Sequence, residues 1–240
     1  SKRVSQRCVN IACGASVVSS WLNLDFSPVT PEIRKANLLG RLPLADQSID
    51  VCYSSHFIEH IPRNRVEGFL TECYRILVPG GRIRLVMPDL EEMCREYLTT
   101  REAGEHEKAD FLVLELLDQC VRQEAGGELG RFYRSLFDRD NSHIMCDYVK
   151  IRTGENIDLY KGQGGHRTVI KDRIRAAIRS PGKLLTWLQW SYSRALSQLF
   201  PPAFREQNIS FASVGERHMW IYDFHTLAKL LRQVGFVDVE

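Results

Sequence analysis

Over the first hundred residues, short apolar runs closed by glycine or proline alternate with longer stretches at helical spacing. Residues 8–12, Cys-Val-Asn-Ile-Ala, form a mainly apolar run that stops at Cys13-Gly14, as a buried parallel strand does. Trp21 to Asp25 predicts a second strand, ended by Ser27-Pro28 and Pro31. Residues 37–39 predict a short third strand and Ile49 to Ser54 a fourth. Between the first two strands there is room only for a helix of a turn or two, over Ala15 to Ser20. Val66, Phe69, Leu70, Cys73, Ile76 and Leu77 recur at helical spacing and predict a helix from Asn64 to Leu77. Pro79-Gly80-Gly81 should stop it, because proline lacks the N–H and glycine tolerates positive φ. Ile83, Leu85 and Met87 alternate as a fifth strand before Pro88-Asp89, and a helix follows from Leu90 to about Leu98. The alternation argues an α/β fold with a doubly wound, mostly parallel sheet and helices on both faces. In such sheets ligands bind beyond the carboxyl ends of the strands, at the topological switch point.

Residues 99–215 break the alternation and read as a large, mainly helical insertion between a core of residues 1–98 and a return to that core over 216–240. Phe111 to Val121 predicts an apolar helix, Gly126-Gly127 and Gly130 a loop, and 143–160 either a hairpin or helix ends. Two basic amphipathic helices are expected over 168–180 and 183–200, split by Pro181-Gly182. Phe224 to Val234 predicts a final helix capped by Gly235, with residues 236–239 starting another strand.

Composition narrows the function classes. At 240 residues, 44% hydrophobic and 26% charged, the chain is neither disordered nor fibrous. A formal net charge of +2 gives no whole-chain nucleic-acid footprint, so no nucleic-acid partner is expected. Residues 161–194 nevertheless hold Lys161, Arg167, Lys171, Arg173, Arg175, Arg179, Lys183 and Arg194 against one acid, Asp172. Trp187, Trp190, Leu184 and Leu188 lie among these charges, so segment 166–200 suits either a solvated lid or peripheral contact with an anionic membrane. The seven cysteines are scattered without a C-x-x-C pair, as expected in a reducing cytoplasm. No signal-peptide pattern opens the chain, and no apolar run approaches the ~20 residues of a membrane span. Both ends read as points where a longer chain was cut.

Candidate chemistry starts at Gly14, where backbone N–H groups can face a ligand; Ala12 and Ser16 occupy positions that a glycine-rich loop would give to glycine. Asp25, eleven residues on, ends the second strand, where an acid can accept from two ribose hydroxyls. A series of motifs then follows in order. Val9-Asn10-Ile11-Ala12-Cys13-Gly14 leads to Trp21-x-Asn23-x-Asp25, then Leu42-Pro43-Leu44-x-Asp46-x-Ser48-Ile49-Asp50. Ser54-Ser55-His56-x-x-Glu59-His60-Ile61 and Arg75-Ile76-Leu77-x-Pro79-Gly80-Gly81 come next, and Val86-x-Pro88-Asp89 closes the series. Together they resemble class I S-adenosylmethionine-dependent methyltransferases, the bacterial type 11 branch with a shortened first helix. The resemblance resumes at Gly215 to Asp223 and at Leu230-Leu231-x-x-x-Gly235-Phe236.

The resemblance implies a Rossmann-like core with S-adenosylmethionine as cofactor. Ala12, Cys13 and Gly14 would line its methionine moiety, Asp25 would hold the ribose, and Asn37 and Leu38 would flank adenine. Ser54 would sit beside the sulfur. Ala12 stands for the family's glycine and Asn37 for its aspartate, two departures that bear on affinity. The acceptor would be a hydroxyl, or less readily an amine, on a sugar, other glycan or small metabolite, with surface-polysaccharide biosynthesis as the favoured setting. The D/N-P-P-Y loop of adenine-N6 methylases is absent; Tyr53-Ser54-Ser55-His56 stands in its place.

Methyl transfer is an in-line displacement whose leaving group needs no help, so the protein mainly aligns the reactants. An alcohol acceptor also benefits from a base. His56 is the first candidate, because imidazole titrates near neutrality, with Glu59 and His60 next. Arg217, His218 and Tyr222 are candidate substrate contacts before the last helix. His56-Phe57-Ile58-Glu59-His60 also spells the H-x-x-E-H pattern of inverted zinc proteases. Zinc needs a further protein ligand, and none is evident downstream, so no metal site is expected. Two rival readings stay open: a methyltransferase fold retired to a binding module, and a zinc hydrolase built on His56 and His60.

Overall fold

Five parallel strands, β1 (Cys8–Ile11), β2 (Leu22–Asp25), β3 (Ile33–Lys35), β4 (Ile49–Ser55) and β5 (Leu77–Val86), form one sheet in the order β3-β2-β1-β4-β5. This is a computed structural model that describes residues 6–139, 142–161, 181–212 and 215–240. The order reverses between β1 and β4, so the crevice between their carboxyl ends is the switch point of an α/β sheet. The chain divides into two compact units: Ser1–Thr99 with Arg217–Glu240, and Thr100–Glu216.

In the first unit the helix α1 (Val66–Ile76) joins β4 to β5 and buries Val66, Phe69, Leu70, Cys73 and Ile76. These side chains share a core with Val9, Ile11, Leu24 and Cys52 of the sheet, completed by Tyr222, Leu227 and Leu231. The loop before β4 is stapled to α1 by Arg75. Its guanidinium donates to both Glu72 carboxylate oxygens (2.9 and 2.7 Å), to Asp46 Oδ1 (2.6 Å) and to the Leu44 and Leu42 carbonyls. Glu72 in turn accepts from the Leu42 N–H at 2.8 Å. The Leu42-Pro43-Leu44-x-Asp46 and Arg75-Ile76-Leu77 motifs are thus two halves of one contact. Arg75 holds the Glu72 carboxyl below its usual range.

Three expectations need correction here. No helix forms over Ala15–Ser20. The link is a turn clipped by two buried amides: Asn10 Nδ2 donates to Ser16 O (2.9 Å) and Asn23 Oδ1 (3.2 Å). Asn23 also accepts from the Val18 N–H (3.1 Å) and donates to Val18 O and Trp21 O, both at 3.0 Å. The third strand lies at Ile33–Lys35 rather than 37–39, because Ile33 supplies the buried anchor and Asn37 turns the chain by accepting the Leu39 N–H. Pro79-Gly80-Gly81 lies inside β5, where a register shift absorbs it. A Cβ on Gly81 would stand 2.9 Å from the Val78 carbonyl oxygen, so the strand needs glycine there.

The helix α2 (Leu90–Glu102) follows β5. The second unit has its own core, built by α3 (His106–Val121), α4 (Gly127–Leu136) and α5 (His143–Thr153) with a 3-10 turn at Ile157–Tyr160. Phe111, Leu129, Tyr133, Leu136, Met145, Val149 and Ile157 form that core. The expected loop at Gly126-Gly127 and Gly130 is instead the start of α4. Gly127, at φ +53°, lets the chain pass a buried ion pair that Arg122 makes with Asp118 at 2.6 Å. A Cβ there would collide with the Asp118 carboxylate. Residues 143–160 are helical, with Gly154 left-handed at the end of α5. The helices α6 (Pro181–Ser197) and α7 (Pro202–Asn208) follow. The basic stretch expected as a helix over 168–180 lies outside the described residues. Leu185, Leu188, Tyr192 and Leu196 of α6 are exposed. Among the described residues no helix is long and apolar enough to cross a membrane.

Back in the first unit, α8 (Phe224–Val234) is capped by Asp223, which accepts the Thr226 N–H at 2.6 Å, and ends at left-handed Gly235. Residues 236–239 form no strand.

Candidate active site

The carboxyl ends of β1, β2 and β4 meet at the switch point, and the loops leaving them carry the expected site residues. After β1 the chain turns through two left-handed residues, Ala12 (φ 57°) and Gly14 (φ 55°). Ala12 therefore adopts a conformation suited to glycine, at a cost of roughly 1–2 kcal/mol. Cys13 between them is buried, and its thiol is pushed up by burial and by the Asp25 carboxylate, so it stands as a neutral lining group. Asp25, at the end of β2, locks the turn: its Oδ2 accepts the Gly14 N–H at 2.9 Å and its Oδ1 the Ser27 N–H at 2.7 Å. Each oxygen retains a second lone pair for a ribose hydroxyl. A Cβ on Gly14 would meet nothing within 4 Å, so the loop borders open space. Asn37 is exposed beyond β3, with one lone pair of Oδ1 taken by the Leu39 N–H.

Two of the expected cofactor contacts also carry structural duties. Leu38 is a core side chain. Ser54 is buried and donates its hydroxyl to the Ile11 carbonyl at 3.0 Å, tying β4 to β1. Tyr222, expected to touch substrate, is only 1% exposed and packs in the core. Its hydroxyl has no hydrogen-bond partner among the described residues, and burial raises its pKa.

The mouth of β4 gathers the expected catalytic residues. His56 is left-handed (φ 50°), its N–H held by the Val86 carbonyl at 2.8 Å, and its side chain is 59% exposed. A 3-10 turn at Ile58–His60 follows. It carries Glu59 inward, to 2% exposure, with Oε1 3.3 Å from His56 Nδ1. Close as that contact is, it lies off hydrogen-bond geometry, and neither Glu59 oxygen has a hydrogen-bond partner among the described residues. The returning segment is stitched to this turn: the Met219 and Trp220 N–H groups donate to the Glu59 carbonyl, and His60 Nδ1 meets the Arg217 carbonyl at 2.8 Å. His218 is buried and meets the His60 ring edge-on, centroids 4.8 Å apart. The Arg217 side chain is exposed. The sequence did not single out Arg63, whose guanidinium lies 4.4 Å above the Trp220 ring; its only signal was a cation three residues past His60.

Strand order and turn geometry define a Rossmann-like α/β domain. Residues 9–85, which span β1 to within β5, match the family model described as "Methyltransferase domain". The first unit is accordingly similar to class I S-adenosylmethionine-dependent methyltransferase domains, whose cofactor is S-adenosylmethionine. An uncharacterized methyltransferase of Mycobacterium bovis (strain BCG / Pasteur 1173P2) is 50% identical over 44 residues, 18% of this chain and 16% of that protein. One from Mycobacterium tuberculosis (strain ATCC 25618 / H37Rv) is 48% identical over the same length and shares. The chain thus spans about a sixth of the curated relatives it matches. Among solved structures, an S-adenosylmethionine-dependent methyltransferase from Archaeoglobus fulgidus aligns with 35% of this chain and 46% of its own, at 20% identity and a TM-score of 0.31.

Proposed function

We propose that the protein transfers a methyl group from S-adenosylmethionine to a hydroxyl of a sugar, glycan or other small metabolite. The observation that carries the cofactor half is the Asp25–Gly14 lock, which orders the turn after β1 and leaves a carboxylate with free lone pairs at the switch point. In this reading Asp25 holds the ribose, residues 12–14 border the methionine moiety, and Asn37 accepts from the adenine amine. The bound cofactor supplies an electrophilic methyl on a sulfonium, and the chain supplies alignment and a base. His56 suits the base: it is exposed at the strand mouth and backed by the buried Glu59 carboxylate, which favours the imidazolium formed when it takes the acceptor proton. A base favours a hydroxyl over an amine, because only the alcohol needs deprotonation as it attacks. A surface polysaccharide is the acceptor setting taken over from the resembling family.

Calorimetric titration with S-adenosylmethionine and S-adenosylhomocysteine tests this. Micromolar binding by the full chain, weakened about tenfold or more in Asp25→Ala, is the expected outcome. No binding by the intact chain overturns the reading. Binding with no transfer to any hydroxyl or amine acceptor would favour the binding-module alternative, for which the strained Ala12 speaks.

A further inference from the structure

Glu59, His60 and His218 stand together at the mouth of β4, and methyl transfer as proposed gives no part to the two histidines. Each offers one ligand atom, and the three atoms lie within 4.8 Å of one another. We propose that these three side chains form a binding site for one divalent first-row transition ion, zinc being the best match, in the first unit of the protein. The proposal stands whether or not the domain transfers methyl groups.

The donor set has the right chemistry. Two imidazoles and a carboxylate are borderline-to-hard ligands that suit zinc and its neighbours and leave a coordination position open for water or an oxygen ligand. The spacing is within reach of what an ion needs. Donor atoms bound at about 2.0–2.2 Å to a tetrahedral ion lie about 3.3–3.6 Å apart, so the widest pair, at up to 4.8 Å, closes by about 1.2–1.5 Å when the ion binds.

The second observation is Glu59 itself. A carboxylate this deeply buried, with both oxygens lacking a hydrogen-bond partner among the described residues, carries a desolvation cost that no hydrogen bond among those residues offsets. A bound cation offsets it. The carboxylate has two oxygens, so the 3.3 Å approach of Oε1 to His56 leaves a second atom for an ion.

His60 is arranged as a metal ligand would be. A carbonyl oxygen only accepts, so Nδ1 must carry the proton that meets the Arg217 carbonyl at 2.8 Å. That tautomer leaves Nε2 with the lone pair, and the Arg217 carbonyl fixes the ring. His218 is brought to the same place by the backbone bonds from Met219 and Trp220 to the Glu59 carbonyl, at 2.6 and 3.2 Å. The ligand geometry is therefore held by main-chain contacts. His60 is half-buried and gives the ion a path in.

The test uses the full chain, stripped with a chelator and titrated with Co2+ as a spectroscopic probe, with Zn2+ as competitor. The expected result is one Co2+ per chain with a visible ligand-field band and no sulfur-to-cobalt charge-transfer band, displaced by equimolar Zn2+. Glu59→Gln keeps the side-chain shape and should weaken binding about 100-fold, as should His218→Ala, whereas exposed His143→Ala should not. Circular dichroism checks that the variants fold, and Glu59→Gln decides the matter if His218→Ala does not. Any of three results overturns the site: no stoichiometric binding, binding unchanged in Glu59→Gln, or a charge-transfer band that places the ion on cysteine.

Discussion

Two parallel crossovers in the same sheet are built in opposite ways. Between β4 and β5 the chain forms a helix and packs an apolar stripe, led by Phe69 and Leu70, onto the strands. Between β1 and β2 there is no helix, and the link is held by the amides of Asn10 and Asn23. A crossover usually needs a dozen or more residues because a helix must fit into it. The shorter link keeps its ends in register with directional hydrogen bonds instead of buried area. The apolar crossover tolerates shape changes gradually, whereas the polar one fails as a unit once a partner is lost.

Mutations can break that contrast. The largest effect is expected at Phe69→Ala, with a loss of about 4 kcal/mol in urea unfolding, since it removes a buried aromatic and leaves a cavity. Asn23→Ala should cost about 3 kcal/mol, because Asn10 and the Val18 backbone lose partners in a buried setting. If Asn23→Ala proves as mild as a surface change, the amide clip is not what holds the link. The same variant should weaken S-adenosylhomocysteine binding, because the clipped turn leads out of the site residues 12–14.

Arg75→Ala should cost about 2 kcal/mol, since it strands the half-buried Glu72 and frees the loop before β4. The pH dependence sharpens this. Arg75 depresses the Glu72 pKa in the fold, so this contribution is fully present above the ordinary carboxylate pKa and is lost as pH falls through the depressed one. Arg75→Ala should flatten that acid limb of the stability profile. The smallest effect is expected at Ala12→Gly: relief of the left-handed strain, partly offset by greater freedom of the unfolded chain, should raise stability by about 0.5 kcal/mol. Thermal unfolding beside wild type would read it, and a loss of stability would show that the Ala12 methyl makes a contact worth more than the strain.

The contrast also explains what could be read from the sequence. The helix α1 announces itself because Val66, Phe69, Leu70, Cys73 and Ile76 repeat at its period. The amide clip has no period. Asn10 and Asn23 look like polar interruptions of two strands, and their pairing becomes visible only when β1 and β2 lie side by side. The displaced third strand has a similar cause: Leu38-Leu39 is the more apolar pair, but Ile33 is the residue that pairs with β2, and Leu38 is buried only after Asn37 has turned the chain. Pro79-Gly80-Gly81 carries the usual chemistry of a break and is instead absorbed by a register shift in β5. At the site, Gly14, Asp25 and His56 could be found because each follows a strand. The grouping of His218 with Glu59 and His60 could not, because it depends on contacts across more than 150 residues of chain.

One earlier feature bears on how the molecule is made. The first unit is interrupted, and Tyr222, Leu227 and Leu231 of its core lie beyond the inserted unit. On the ribosome, β1 to β5 emerge with the apolar stripe of α1 only partly covered. At about 5–20 residues per second, the intervening 100–216 delay the covering residues by about 6–25 s. Throughout that interval the nascent sheet keeps part of its hydrophobic face uncovered. The insertion folds around a core of its own, and segment 217–240, emerging after it, both covers the sheet and brings His218 to Glu59 and His60.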